Sequence, residues 1–292
     1  MARVLVTAGA GSIGRSIVGS LASEGHEAVV LDDRELPTGL GVHKHHLGRA
    51  NDRETLDRAL EGCDHIFHLE WSGSVHRTTL EPLQTNSHNT GATLTVLESA
   101  KALGIPVTFA STCVYRGDHP QRTPESAPHN ERSLYVAQKV YAENCVRAYA
   151  HMFGVNACSL RIFNVYGSEG APFQIIPRIR EAIRSGTGMQ LTGDGGQMRD
   201  FIHVSDVEDA FVKTIGKTFH GEAINIGTGV GTSMLELVNL AMSSTKREIP
   251  ITFVPAKGEE ARYLIADPSL AHERLGFKSQ IELPNVICGL LA

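Results

Sequence analysis

The sequence predicts an α/β fold: a doubly wound parallel sheet with a smaller, interleaved C-terminal lobe. Two observations carry this. Short β-branched runs alternate with helical patterns through the first half of the chain, the mark of βαβ units with right-handed crossovers. A glycine turn, "VTAGAGSIGRSI", then sits between the first strand and the first helix.

The elements follow in order. "RVLVTA" reads as a strand and "SIVGSLASEG" as a helix with apolar residues at helical spacing. "EAVVLD" is the next strand, "DRETLDRALEG" a helix and "HIFHL" a strand. A long helix covers "NTGATLTVLESAKALG" before the strand "PVTFAS". "SLYVAQKVYAENCVRAYAHMFG" is another helix and "ACSLRIFNVY" another strand. After Gly167 the alternation loosens. "PFQIIPRIREAIRSG" and "SMLELVNLAMSST" look helical, "MQLTGDGGQMRDFIHV" holds two extended runs around a glycine turn, and "ITFVP" is a strand. The segment "GVHKHH", with His43, His45 and His46, reads as a solvated loop rather than a metal site.

Composition narrows the function. The 292 residues are 41% hydrophobic and 20% charged, ordinary for a globular chain with a sizeable core. A net charge of -5 argues against nucleic acid or an anionic membrane surface as partner, since both need a basic footprint. No stretch has the length and apolarity of a membrane span, and the N-terminus runs straight into a strand without a signal-peptide pattern. The five cysteines are scattered, with no CxxC pair. Free thiols in a reducing cytoplasm, and no metal site, are the expectation.

The glycine turn points to a dinucleotide. Gly9, Gly11 and Gly14 put small residues where a backbone turns tightly, approaches a pyrophosphate and packs helix on strand. The helix N-terminus then directs free N–H groups at the phosphates. Asp32 and Asp33 close the second strand about twenty residues on, where a carboxylate accepts ribose hydroxyls and repels a 2′-phosphate. NAD is therefore favoured over NADP, although Arg34 stands adjacent. Farther on, Tyr135 and Lys139 are four residues apart, which on a helix sets both side chains on one face.

"RIFNVYG", "GDGGQMRDFIHVSDV", "NIGTGVGTSMLEL" and "ADPSLAHERLGF" occur in that order after the glycine turn. Together they resemble the NAD-dependent epimerase/dehydratase family, the extended short-chain dehydrogenases that act on nucleotide sugars, from Val4 to about Phe277. The resemblance implies a Rossmann domain over residues 1–166, with later chain returning to it, and a mainly substrate-binding lobe over 167–292. It adds Ser12, Ile13, Leu69 and Phe163 to the cofactor contacts, with Tyr135 and Lys139. In the family's pattern Tyr135 takes a proton from a sugar hydroxyl and Lys139 holds the nicotinamide ribose. A phenol has an ordinary pKa near ~10, and the lysine and nicotinamide charges are expected to lower it.

The resemblance also implies a catalytic hydroxyl at the end of "PVTFAS". Aligning on Tyr115 selects Ser111; aligning on Gly117 and Asp118 selects Thr112, which we prefer. Cys113 and Val114 follow, where the family's 4,6-dehydratases carry Asp-Glu. A 4-epimerase working through a keto-sugar is therefore favoured, with a dehydratase using Cys113 as acid and a non-catalytic NAD-binding protein as alternatives. For substrate, taken to be a UDP-sugar, the resemblance implies Asn164 and Arg199 at the pyrophosphate, with Lys257 or Arg262 as a second cation. Relatives commonly form homodimers through their two long helices.

The chain departs from the family around the cofactor. Ala8 stands at the first glycine, Arg49 where an Asp commonly meets the adenine, and Glu70 and Trp71 where two small residues follow "HL". These imply an altered sugar pocket or hydride step, with Trp71 and Cys113 candidate substrate contacts.

Overall fold

The computed structural model describes residues 1–167, 174–256 and 261–291. Its strands are β1 (Arg3–Thr7), β2 (Glu27–Asp32), β3 (Val42–Leu47), β4 (His65–His68), β5 (Val107–Thr112), β6 (Ala157–Ile162) and β7 (Asn164–Tyr166). They continue as β8 (Met189–Thr192), β9 (Met198–His203), β10 (His220–Ile226), β11 (Gly231–Ser233), β12 (Ile251–Val254) and β13 (Tyr263–Leu264). The helices are α1 (Ser12–Ser23), α2 (Arg53–Ala59), α3 (Val75–Leu80), α4 (Pro82–Leu103) and α5 (Leu134–Phe153). Then come α6 (Ile175–Ser185), α7 (Val204–Val212), α8 (Met234–Thr245), α9 (Ser269–Leu275) and α10 (Leu283–Leu291).

The chain divides into two compact units. One holds Met1–Val114, His129–Ile162 and Glu208–Ile224; the other holds Tyr115–Pro128, Phe163–Val207 and Asn225–Ala292. The first is built on a seven-stranded sheet ordered β10-β6-β5-β4-β1-β2-β3. The pairings from β3 through β2, β1, β4 and β5 to β6 are parallel. Strand order reverses beside β1, which places the end of that strand at a switch point where ligands bind in such sheets.

The strands β2, β4, β5 and β6 are almost wholly buried, as expected where helices cover both faces of a parallel sheet. Leu5, Val29, Leu31, Ile66 and Val107 form one core with Leu56 of α2, Val96 of α4 and Val146 of α5. Helix α5 starts on a Ser133 side chain that accepts from the Val136 N–H, and it ends on Gly154 at φ 68°. These are the ordinary start and stop signals of a helix.

The segment "GVHKHH" forms the edge strand β3 rather than the loop expected from its composition. It pairs in parallel with β2, with a register shift between Ala28 and Val29. An edge strand packs on one neighbour only, so it needs little apolar content, and charged side chains blunt further pairing. Among the described residues no group of three or more His, Cys, Asp or Glu is placed to hold a metal.

"ACSLRIFNVY" is likewise two strands. Ile162 still pairs with Thr112, but Asn164 pairs with Phe201 in a different sheet. The second unit carries the sheet of β7, β9, β11 and β13 and the pair β8–β12. Its core gathers Ile179 and Ile183 of α6, Leu237 and Val238 of α8, and Ile287 of α10. Among the described residues no helix is long and apolar enough to cross a membrane.

Candidate active site

The turn after β1 is shaped by contact. A Cβ on Gly14 would stand 2.4 Å from the Ala8 carbonyl oxygen, and one on Gly9 would stand 2.6 Å from Val30. A Cβ on Gly11 would approach the Ala8 oxygen to 3.1 Å. Gly11 precedes α1 in extended conformation and no side chain caps the helix. The N–H groups of its first turn, beginning at Ser12 and Ile13, are thus left for an anion. A dinucleotide pyrophosphate fits this turn. Ala8 itself has φ 55°, a left-handed conformation that suits glycine.

Asp32 closes β2 and is 3% exposed. It accepts from the Ala10 N–H at 2.9 Å and from the Arg34 guanidinium at 3.1 Å on each oxygen. Burial alone would raise this carboxyl; the bonds from Arg34 and from the Ala10 and Arg34 backbone outweigh it and hold the group below the ordinary carboxylate range. Asp33 pairs with Arg49 at 2.6 Å. These residues line a cavity of about 380 Å³ with Ala8, Gly48, Glu70, Trp71, Ser72 and His88.

The stretch after β4 is pinned on both sides. Thr7 Oγ1 accepts from the N–H groups of Leu69 and Glu70 at 3.1 and 3.0 Å. Asn89 grips Ser72, accepting from its N–H at 2.7 Å and donating to its carbonyl at 3.0 Å. Glu70 accepts from the Ala50 N–H at 2.8 Å and lies 2.9 Å from His88 Nε2. Its carboxylate thus joins the β3–α2 connection to α4.

Tyr135 lies in the first turn of α5, with Lys139 and Glu143 one and two turns along the same face. The Thr112 hydroxyl, at the end of β5, is close enough to the Tyr135 phenol to oppose the rise that burial gives it. Ser111 points elsewhere: its hydroxyl donates to Glu143 Oε1 at 2.6 Å. Cys113 is half-buried, its Sγ 4.0 Å from Thr112 Oγ1. Lys139 is buried and donates to the Ala110 carbonyl at 2.7 Å, while its Nζ lies 3.7 Å from the centre of the Trp71 ring.

The titration order differs from the sequence expectation. Burial pushes the Tyr135 phenol up to about 12, with the neighbouring Cys113 adding and the Thr112 hydroxyl opposing. Lys139 is pushed down to about 7 by burial, with Glu143 opposing. A lysine stripped of water is a weaker source of positive potential than one in solution, because its charged form is itself disfavoured.

The second unit carries the candidate substrate groups. A cavity of about 310 Å³ is lined by Asn164, Tyr166, Arg180, Arg199, Phe201 and Met234 among others. Asn164 donates to the Asp200 carbonyl at 3.3 Å, and Arg199 donates to the Met198 carbonyl at 2.8 Å. Phe163 donates its N–H to Ile226 at 3.1 Å and sets its ring 6.2 Å from Tyr115. Arg262 pairs bidentately with Asp194 at 2.8 and 3.2 Å. Lys257 lies outside the described residues.

Two features escaped the sequence argument. Glu143 and Arg161 form a buried pair, 2.7 Å apart at the closest approach, that stands directly behind Lys139. The four-residue step from Lys139 to Glu143 was its available signal. Arg180, on α6, brings a second guanidinium to the cavity of Asn164 and Arg199. It is an arginine on a strongly amphipathic helix, a pattern that surface charge also produces.

Residues 4–227 match the model of the NAD dependent epimerase/dehydratase family. The chain is 30% identical to a UDP-glucose 4-epimerase of Mycolicibacterium smegmatis, over 98% of this chain and 96% of the relative. It superposes on the UDP-glucose 4-epimerase of Thermotoga maritima solved with UDP-glucose, with a TM-score of 0.91, 26% identity and coverage of 99% and 97%. The Thermus thermophilus UDP-glucose 4-epimerase complexed with NAD superposes with a TM-score of 0.88, 26% identity and the same coverage. A glycine turn shaped for a pyrophosphate, a tyrosine–lysine helix face and a match over most of the chain agree, and the chain belongs to the NAD dependent epimerase/dehydratase family of NAD-dependent enzymes.

Proposed function

We propose that this chain is a UDP-sugar 4-epimerase that works through a transient keto-sugar. The observation that carries the reading is the Thr112 hydroxyl set beside the Tyr135 phenol, in a run, "STCV", that holds no carboxylate. Epimerisation needs one base and one hydrogen-bonding hydroxyl at the reacting oxygen. Elimination of water needs a further acid–base pair.

When bound, NAD would supply a reversible hydride acceptor for the sugar carbon and a positive ring that favours phenolate. The first turn of α1 and Asp32 would hold it, at pyrophosphate and ribose, and Lys139 at the nicotinamide ribose. Tyr135 takes the proton from the 4-hydroxyl and gives it back when the keto group is reduced. Thr112 donates to the same oxygen and opposes the rise that burial imposes on the phenol. Asn164, Arg199 and Arg180 would bind the UDP pyrophosphate. Two guanidiniums suit that group because their planar forks bond phosphate oxygens in pairs.

The proximity of Cys113 to Tyr135 supports a second reading, a dehydratase in which the thiol serves as acid. The two separate by product. Purified protein given UDP-glucose and UDP-galactose should interconvert them, with no lasting rise in reduced-nicotinamide absorbance. A product lighter by one water would replace the epimerase reading with the dehydratase. Tyr135→Phe should lower turnover by about 10³ or more while NAD binding persists; unchanged turnover would remove the mechanism.

A homodimer also belongs to this reading. Helices α4 and α5 leave Leu83 87% and Met152 73% exposed, which is apolar surface that a second copy would cover. Sedimentation of the purified chain as a monomer at micromolar concentration would exclude it.

A further inference from the structure

Lys139 is 4% exposed, and its ammonium has three hydrogens to place. One goes to the Ala110 carbonyl at 2.7 Å. The rest of the group is roofed by aromatic faces: the Trp71 ring centre is 3.7 Å from Nζ and the Phe109 ring centre 4.8 Å. An indole face at that distance is a cation–π contact. It fills the shell in which an oxygen acceptor would otherwise sit. Trp71 also meets the Tyr135 ring edge-on at 6.3 Å, so it touches both residues proposed for the chemistry.

The indole is imperfectly settled. Its Nε1 is buried and has no hydrogen-bond partner among the described residues, whereas a buried tryptophan usually finds one. The backbone around it is held firmly by the Thr7 and Asn89 bonds to Leu69, Glu70 and Ser72. Motion at this position is therefore motion of the side chain.

We propose that Trp71 is a displaceable cover on Lys139, occupying the place of a ribose diol and swinging aside when the nicotinamide ribose binds. It is thus a positioning residue that sets how readily cofactor is taken up and held. The inference rests on the reading that Lys139 bonds that ribose. A diol oxygen and an indole face compete for the same ammonium hydrogens, so binding of one requires withdrawal of the other. Where the family carries a small residue, this chain makes cofactor binding pass through a side-chain rotation.

Trp71 is the only tryptophan of the chain, so its fluorescence reports the movement directly. The test uses the full chain stripped of nucleotide, with ADP-ribose and ADP as probes. ADP-ribose carries the terminal ribose diol without the nicotinamide ring; ADP lacks both. ADP-ribose should red-shift the emission and raise quenching by acrylamide, and ADP should do neither. By calorimetry, Trp71→Leu should bind ADP-ribose about tenfold tighter, the scale of a lost cation–π contact, with ADP affinity unchanged.

Binding of ADP-ribose seen by calorimetry with emission and quenching unaltered would overturn the cover, and this arm needs no variant to fold. An unchanged ratio of ADP-ribose to ADP affinity in Trp71→Leu would overturn it as well. The underlying reading has its own control. Lys139→Met should weaken ADP-ribose but not ADP, and if it weakens neither, the assignment of Lys139 to the ribose fails first.

Discussion

Ser111 donates to Glu143 at 2.6 Å, and the same Glu143 oxygen accepts from Arg161 Nε at 2.9 Å. The Ser111 hydroxyl is therefore committed to a buried ion pair, while the next hydroxyl along β5, on Thr112, acts on the Tyr135 phenol and opposes the rise that burial gives it. The two candidates that sequence alignment left open differ in what their oxygens already do.

That difference makes opposite expectations for two neighbouring alanines. Thr112→Ala should reduce turnover by about 10² with little change in melting temperature, since it removes one hydrogen bond at the reacting oxygen. Thr112→Ser should restore most of it. Ser111→Ala leaves a buried carboxylate short of one donor and should cost about 1–3 kcal/mol of stability, with a smaller kinetic effect. Turnover and thermal melts on the three variants check this, and a catalytic loss confined to Ser111→Ala would reverse the assignment.

Lys139 should leave a mark on stability against pH. Its pKa falls from the ordinary lysine value to about 7 on folding because of burial, opposed by Glu143. Below pH 7 it is charged in both folded and unfolded chains, and the cost of burying the charge is complete. Between about pH 7 and pH 10 the folded protein holds fewer protons than the unfolded one, so this cost recedes as pH rises. Lys139→Met should accordingly stabilise the protein at pH 6, by up to about 4 kcal/mol, and by much less near pH 10. Denaturant melts at the two values measure it. An equal effect at both would mean the lysine is not desolvated as described.

Most of the first unit was legible because its strands are buried on both faces and carry their signal as apolar runs, as in "EAVVLD" and "PVTFAS". Strand β3 was not, since a strand paired on one edge has little need of apolar residues and "VHKHHL" resembles a loop. The break at Phe163 was hidden for another reason. Strand propensity runs unbroken through "SLRIFNVY", and the change of partner from Thr112 to Phe201 is a tertiary event. In the site, the glycine turn was read from its place between strand and helix, whereas spacing set Tyr135 and Lys139 on one helix face and only the family resemblance gave them a role. The cover of Trp71 over Lys139 and the Glu143–Arg161 pair depend on side chains from different elements meeting, and no local pattern encodes that.

Ala8 is a departure that the backbone makes expensive. Its φ of 55° puts an L-residue in the left-handed region at a cost of about 1 kcal/mol. Its N–H donates to the Leu31 carbonyl at 2.8 Å and its carbonyl accepts from Gly11 at 3.0 Å, so the turn cannot relax without losing both bonds. Ala8→Gly should stabilise the protein by about 0.5–1 kcal/mol, the relief of strain exceeding the extra freedom gained by the unfolded chain. A melting temperature unchanged or lowered would show that the methyl contributes packing that outweighs the strain.

The acid limb of stability should be set by two buried histidines of β4. Burial pushes His65 down to about 4 and His68 down to about 3, the latter with Lys139 and His88 adding. Both are held as neutral imidazole by hydroxyls: His65 against Thr108 at 2.9 Å, His68 between Thr7 at 3.0 Å and Thr93 at 3.3 Å. Above pH 6.5 both are neutral folded and unfolded, and they contribute no pH dependence. As pH falls from 6.5 toward 4, the unfolded chain takes up protons that the folded one refuses, so stability declines. His68 alone should account for about 3 kcal/mol of that decline. His68→Asn keeps an amide within reach of Thr7 and cannot titrate. It should lose some stability at pH 7 through poorer packing, yet show a flatter decline between pH 6.5 and 4. Chemical denaturation across that interval compares the slopes, and parallel slopes for the two proteins would place the acid sensitivity elsewhere.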